Sequence, residues 1–249
     1  MVETFDVSIT PYGLTRRTFV YLPDDWQTSG KKYPVLYMFD GHNLFFDSTA
    51  TYGTCWGLKE YCDAHPNWII AAPECNHEGN KRLEEYCPYQ SDWFGGITGT
   101  GHEYMEWLTK EFKPMMDKRY PTLPGRANTA IGGSSMGGLM SLYALLQYND
   151  TFSRAAALSP SIWVSPEKLS GLVGRAKLEP GTVLYMDYGS REMGNHDGMR
   201  KGFAQLTEKL MVRGIHLTAR LVPGGTHSEA SWEKQLPFVF HTLMYELDE

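Results

Sequence analysis

The chain has 249 residues, 42% hydrophobic and 13% aromatic, enough to bury the core of one large domain; no repeat, low-complexity segment or linker divides it, so residues 1–249 are read as a single domain. A net charge of −6 and the lack of any Lys/Arg run argue against the basic surface that nucleic acid or an anionic membrane would need. No apolar stretch approaches the roughly 20 residues of a membrane span, and the first residues lack the basic and apolar regions of a secretory leader, so a cytoplasmic protein is expected.

The first two strands are expected in "TFDVSIT" and "RTFVYLP", joined by the turn "PYG" as an antiparallel edge. "YPVLYMFD" and "NWIIAAP" are continuous apolar runs of strand length, the pattern of strands buried on both faces. Between them, Cys55 and Cys62 open a group of four cysteines completed by Cys75 and Cys87. Their irregular spacing fits neither a disulfide framework nor a zinc motif; free thiols are expected, with one local disulfide as the alternative. The segment 76–103 has no sustained period and carries Tyr86, Tyr89, Trp93 and Phe94. It is read as an excursion over a functional site, the alternative being a surface loop whose aromatics pack down. "EYMEWLTKEFKPMMDKRY" then predicts one helix, from the spacing of Met105, Leu108, Phe112 and Met115. Strands in "ANTAIGG", "RAAALSP", "TVLYMDYG" and "HLTARLVPGG" alternate with helices in "LMSLYALLQYN" and "DGMRKGFAQLTEKLMVRG", and a last helix lies near "SWEKQLPFVFHTLMYEL". Gly214 falls where a helix C-terminal glycine belongs. The alternation implies an α/β fold: a mostly parallel sheet of about eight strands with helices on both faces.

The stretch "IGGSSMGG" sits between a predicted strand and a predicted helix, and contains Gly-x-Ser-x-Gly with Ser135 at its centre. A nucleophile on so sharp a turn needs neighbours with little or no side chain, and the helix N-terminus beneath it favours a developing oxyanion. A serine hydroxyl also needs a base, and in this arrangement the chain order is Ser, acid, His. His227, on the Gly-rich loop after the last strand, is the base of choice; His241 lies in an apolar helical run and His216 opens a strand. Asp187, Glu192 and Asp197 compete for the acid. Glu192 is favoured because it follows the strand end, where open α/β sheets place functional groups; Asp187 lies inside the strand and Asp197 suits a helix cap. The oxyanion donors should be the amide of Met136 and an amide of "FDGHNLF", from His42 or Asn43.

"YPVLYMFDGHNLF", "TAIGGSSMGGLMSLYALLQYNDTFSRAAALSPSIW", "YGSRE" and "GGTHSEASW" together resemble the esterase D-like "putative esterase" family, which includes enterochelin and feruloyl esterases and is related to mycolyltransferases. The resemblance spans nearly the whole chain and is weakest over Cys55–Glu103. It implies an α/β-hydrolase fold without a cofactor, with Ser135 as nucleophile, His227 as base, and the Met136 and His42 amides as oxyanion donors. Glu192 falls where the family's third triad member lies, although some relatives use a Ser–His dyad. Asn43, Trp93 and Trp163 are the substrate-binding candidates. The extra N-terminal domain of some siderophore esterases is not matched, which weighs against a siderophore substrate.

The expected activity is therefore hydrolysis of a small acyl or aryl (feruloyl-like) ester through an acyl-enzyme, with no metal. Acyl transfer from the same intermediate and a non-catalytic binding role are the alternatives, and a homo-oligomer is compatible with the sequence. A metallohydrolase using His77, Glu78, His102 and Glu103 would lack any recognised ligand motif.

Overall fold

A computed structural model describes residues 1–192 and 196–247; the side chains of Phe94 and His196 lie outside the described residues. Eight strands form one sheet in the order β1-β2-β4-β3-β5-β6-β7-β8. β1 (Val2–Ile9) and β2 (Leu14–Tyr21) are the expected antiparallel edge, turned by Thr10–Tyr12 and by Gly13 in the left-handed region. β2 runs antiparallel to β4 (Ile69–Pro73). From there β4, β3 (Val35–Met38), β5 (Thr129–Ser134), β6 (Arg154–Leu158), β7 (Val183–Gly189) and β8 (His216–Val222) are parallel.

The apolar runs become strands because both faces of the sheet are covered. β3, β4, β5, β6 and β7 are buried at every residue, and two separate apolar cores lie on opposite faces. One core takes in α3 (Gly101–Trp107), α4 (Lys113–Arg119), α5 (Met136–Gln147), α6 (Pro166–Arg175) and α7 (His196–Met211). The other is closed by α1 (Leu58–Ala64), α8 (Glu229–Glu233) and α9 (Leu236–Leu243). α5 is apolar on all sides, and every residue from Met136 to Leu146 is buried, as a helix enclosed by other elements requires.

Several local expectations need correction. The single helix foreseen over 103–120 is α3, a π-helical stretch Leu108–Phe112, and α4. Pro114 lacks an N–H to donate, which breaks the regular i→i−4 ladder just there. The last helix is likewise two, α8 and α9, with Pro237 in the first turn of the second. α1, α6 and α2 (Lys81–Glu85) were not foreseen: α1 and α2 are too short to show a period, whereas α6 does carry one in Leu169, Leu172 and Val173 that the sequence reading missed.

The excursion is only partly a cover. Tyr86 packs inward against Phe39 with ring centres 4.9 Å apart, and Tyr89 packs edge-on against Tyr143 at 5.8 Å. Trp93 remains half-exposed, its ring edge-on to Trp163 at 4.9 Å. All four cysteines are buried free thiols, so the alternative of a local disulfide is not realised.

Candidate active site

Ser135 lies between the end of β5 and the first residue of α5, at φ 58° and ψ −120°. A side-chain-bearing residue held there stores on the order of 1–3 kcal/mol of strain, so its surroundings must hold it in place. The Ser135 amide donates to the Leu158 carbonyl at 3.0 Å. Its own carbonyl accepts from the amides of Leu139 and Ser161, both at 3.0 Å. The flanking glycines serve close approach, and none of them has a positive φ. A Cβ on Gly137 would stand 2.9 Å from Phe39 Cβ, and one on Gly138 2.9 Å from the Leu158 carbonyl oxygen. On Gly133 it would meet the Gly137 backbone at 3.0 Å. The tight turn and the seating of α5 on the sheet both require bare backbone.

Glu192 follows β7 and is almost wholly buried, with 2% of its surface exposed. One carboxylate oxygen, Oε1, accepts from the Gly189 amide at 2.9 Å and from the Ser159 hydroxyl. The other, Oε2, lies 2.8 Å from His227 Nδ1. The loops carrying this pair are fastened backbone to backbone: the Ser190 amide donates to Val222 at 2.9 Å, and the Arg191 amide to Gly225 at 2.8 Å. The Trp232 indole donates to the Ser159 hydroxyl at 2.9 Å and stands edge-on to the His227 ring at 5.1 Å. A carboxylate fixed on both oxygens and an imidazole walled by an indole form a preoriented pair.

The rival acids take other positions. Asp187 is inside β7, where it accepts from the Tyr185 hydroxyl at 2.8 Å and the Ser159 amide at 3.0 Å. Burial pushes its carboxyl up to about 7, against the hydrogen bonds from Tyr185 and Ser159. Asp197 is exposed on α7, 3.3 Å from Arg200.

The two expected oxyanion-donor residues lie on turns at the same end of the paired strands β3 and β5. Met136 is the first residue of α5, and His42 is in the turn Gly41–Asn43 that follows β3, the strand paired with β5. Among the described residues neither amide donates a hydrogen bond. That turn comes close to β4: a Cβ on Gly41 would lie 2.0 Å from the Ala72 carbonyl oxygen. The His42 imidazole is buried, which lowers its proton affinity to a pKa of about 4, and its Nε2 lies 3.0 Å from the Thr51 hydroxyl. Asp40, just before the turn, sits at φ 58° and accepts two charge-assisted bonds from Arg82 of α2, both 2.7 Å. This clamp fixes the turn from the side of the excursion.

Ser135, Ser159, Ser161, Glu192 and His227 line a cavity of about 400 Å³, whose apolar wall includes Ile162, Trp163, Tyr188, Met199 and Phe203. That volume is in the range of small-molecule sites. Ser161 Oγ is 3.4 Å from Ser135 Oγ.

Residues 12–242 match the family described as "Putative esterase". The chain belongs to that family. Over 200 residues the esterase is 26% identical to the uncharacterized protein YbbA of Bacillus subtilis, covering 78% of this chain and 76% of that one. It is 26% identical over 151 residues to an endo-1,4-beta-xylanase/feruloyl esterase of Xylanibacter ruminicola, covering 60% of this chain but 19% of that protein. Its fold matches the enterobactin esterase FES of Shigella flexneri with a TM-score of 0.78 and 18% identity, covering the whole of this chain and 60% of the other. The chain thus spans less than two thirds of the last two. By family it is a carboxylic-ester hydrolase.

The remaining expected residues of the esterase lie beside the cavity or away from it. Trp163 is in its wall, and Trp93 reaches it by packing on Trp163. The Asn43 side chain accepts from the Thr51 amide at 2.9 Å, holding the loop behind the turn. His102 Nδ1 is 2.9 Å from the Tyr148 hydroxyl, and the set His77, Glu78, His102 and Glu103 does not come together as a metal-ligating group among the described residues. Ser159, Ser161, Trp232, Asp40 and Arg82 were not singled out from the sequence. The runs "SPSIW", "GGTHSEASW" and "FDGHNLF" placed all but Arg82 near the expected site; Arg82 carried no signal.

Proposed function

We propose that the protein hydrolyses small acyl or aryl esters through an acyl-enzyme on Ser135, with His227 as base and Glu192 as its orienting acid. The observation that carries this is the shared cavity: a serine on a strained strand-to-helix turn and a Glu192-bound histidine line one small-molecule-sized space. Ser135 Oγ attacks the ester carbonyl carbon as its proton passes to His227 Nε2. Nδ1–H remains on Glu192, so the imidazolium forms beside a fixed carboxylate. The carbonyl oxygen becomes an oxyanion received by the Met136 and His42 amides, with the positive end of α5 behind the first. Collapse returns the proton to the departing alcohol, and water repeats the cycle to release the acid. The aromatic and aliphatic wall suits an aryl or short acyl group. Four thiols left free support a reducing cytoplasmic setting.

The decisive measurement is turnover of p-nitrophenyl acetate, butyrate and octanoate by wild type and Ser135→Ala. A loss of about 10⁴-fold or more is expected, together with loss of any acyl-enzyme burst. Equal rates in both proteins would overturn the assignment. Ester products formed from added alcohol would instead identify an acyltransferase using the same serine.

A further inference from the structure

Away from the cavity, the turns following the paired strands β3 and β4 bring together His42, Cys75 and His77. One donor atom from each lies within 4.8 Å of the others. The reason is topological: parallel neighbours deliver the loops after them to the same sheet edge. His42 and Cys75 are buried, with 3% and 2% of their surfaces exposed, and His77 lies open to solvent with its ring edge-on to His42 at 4.5 Å. His42 Nε2 is engaged by the Thr51 hydroxyl, whereas its buried Nδ1 has no hydrogen-bond partner among the described residues. An unsatisfied buried ring nitrogen normally costs on the order of 1–3 kcal/mol. With the proton on Nε2 and donated to the Thr51 hydroxyl, Nδ1 presents a bare lone pair, and that bond fixes the tautomer and orientation of the ring as the outer hydrogen bond of a metal-ligating histidine does.

We propose that His42 Nδ1, Cys75 Sγ and His77 form a binding site for a zinc-class divalent cation that clamps these two turns together. Two imidazoles and one thiolate are the donor set of such an ion, with a fourth position left to water on the solvent side of His77. Tetrahedral bonds of about 2.0–2.3 Å place donors roughly 3.5 Å apart, within the 4.8 Å limit that these atoms satisfy; the exposed His77 side chain, 3.7 Å from Glu74, can supply any adjustment. On binding, the cation replaces the Cys75 thiol proton, which leaves to solvent. Burial, with Asp40 and Glu85 nearby, pushes the Cys75 thiol well above its ordinary value, and its S–H is shared with Asp40; the cation must displace that contact, while Asp40 keeps both bonds from Arg82. The proposal does not depend on the esterase reading.

The test is titration of the full-length, chelator-treated, reduced protein with Co²⁺ and then Zn²⁺. One equivalent of Co²⁺ should produce a thiolate-to-cobalt charge-transfer band that one equivalent of Zn²⁺ displaces, and Zn²⁺ should raise the melting temperature. Cys75→Ser should abolish the band, and His77→Ala, a change at an exposed side chain, should weaken binding at least tenfold. Cys55→Ser and Ser135→Ala should both bind like wild type, which separates this result from any failure of the catalytic assignment. The absence of stoichiometric uptake, or an undiminished band in Cys75→Ser or His77→Ala, would overturn it.

Discussion

Glu192 and Asp187 are buried carboxylates five residues apart with opposite tasks. Glu192 is solvated by the protein: the Gly189 amide and the Ser159 hydroxyl support one oxygen while His227 takes the other. Glu192→Gln should keep the geometry but favour the wrong imidazole tautomer, lowering kcat by about 10²–10⁴-fold in ester hydrolysis. Asp187 is mainly desolvated, facing Tyr185, Ser159, Glu192 and Arg220, and keeps its proton up to about pH 7. An unfolded aspartate loses that proton near pH 4. Between those values the native state binds more protons than the unfolded one, so stability falls as pH rises, by on the order of 4 kcal/mol from this group. Asp187→Asn should remove this slope, with melting temperatures that fall less between pH 4.5 and 8 than in wild type; an unchanged profile would show that Asp187 is charged throughout.

At the scale of elements, the site depends on backbone approaching backbone. Gly189 ends β7 where the histidine loop crosses it, and a Cβ there would lie 2.5 Å from the Gly225 carbonyl oxygen and 3.0 Å from Glu192 Cγ. Gly189→Ala should therefore cost about 1–3 kcal/mol in denaturant unfolding. It should also reduce kcat by more than Ser135-independent properties such as cavity binding, because it parts Glu192 from His227. Wild-type kcat in this variant would show that the two loops tolerate separation. The strand–turn–helix around Ser135 was legible in the sequence because apolar run, glycines and apolar helix are consecutive. The break in the helix over 101–119 was less so, since a π-helical stretch leaves the apolar spacing almost unaltered.

Across the whole molecule, the excursion is anchored to the sheet by charge. Arg16 on β2 reaches both oxygens of Glu85 on α2, at 3.1 and 3.2 Å, and both side chains are buried. Next along the chain, Tyr86 fills the core, while Arg82 on the same short helix grips Asp40. Arg16→Met should strand the Glu85 carboxylate and destabilise the protein by about 3–5 kcal/mol, read by chemical denaturation. A loss below 1 kcal/mol would mean that Tyr86 packing alone holds the excursion.

The amino-acid sequence by itself determined the mostly parallel sheet and the strand–glycine–helix turn around Ser135, because each is written in contiguous residues: apolar runs and a glycine cluster. It left three candidate acids, with Glu192 favoured because it follows a strand end. Only the tertiary structure decided what surrounds each carboxylate, since Asp187 and Glu192 share one chemistry and differ in the hydrogen bonds that Ser159, Tyr185 and His227 supply. The Asp40–Arg82 clamp and the meeting of His42 with Cys75 and His77 likewise arise from strand pairing. Residues more than thirty positions apart become neighbours only once the sheet has set its order.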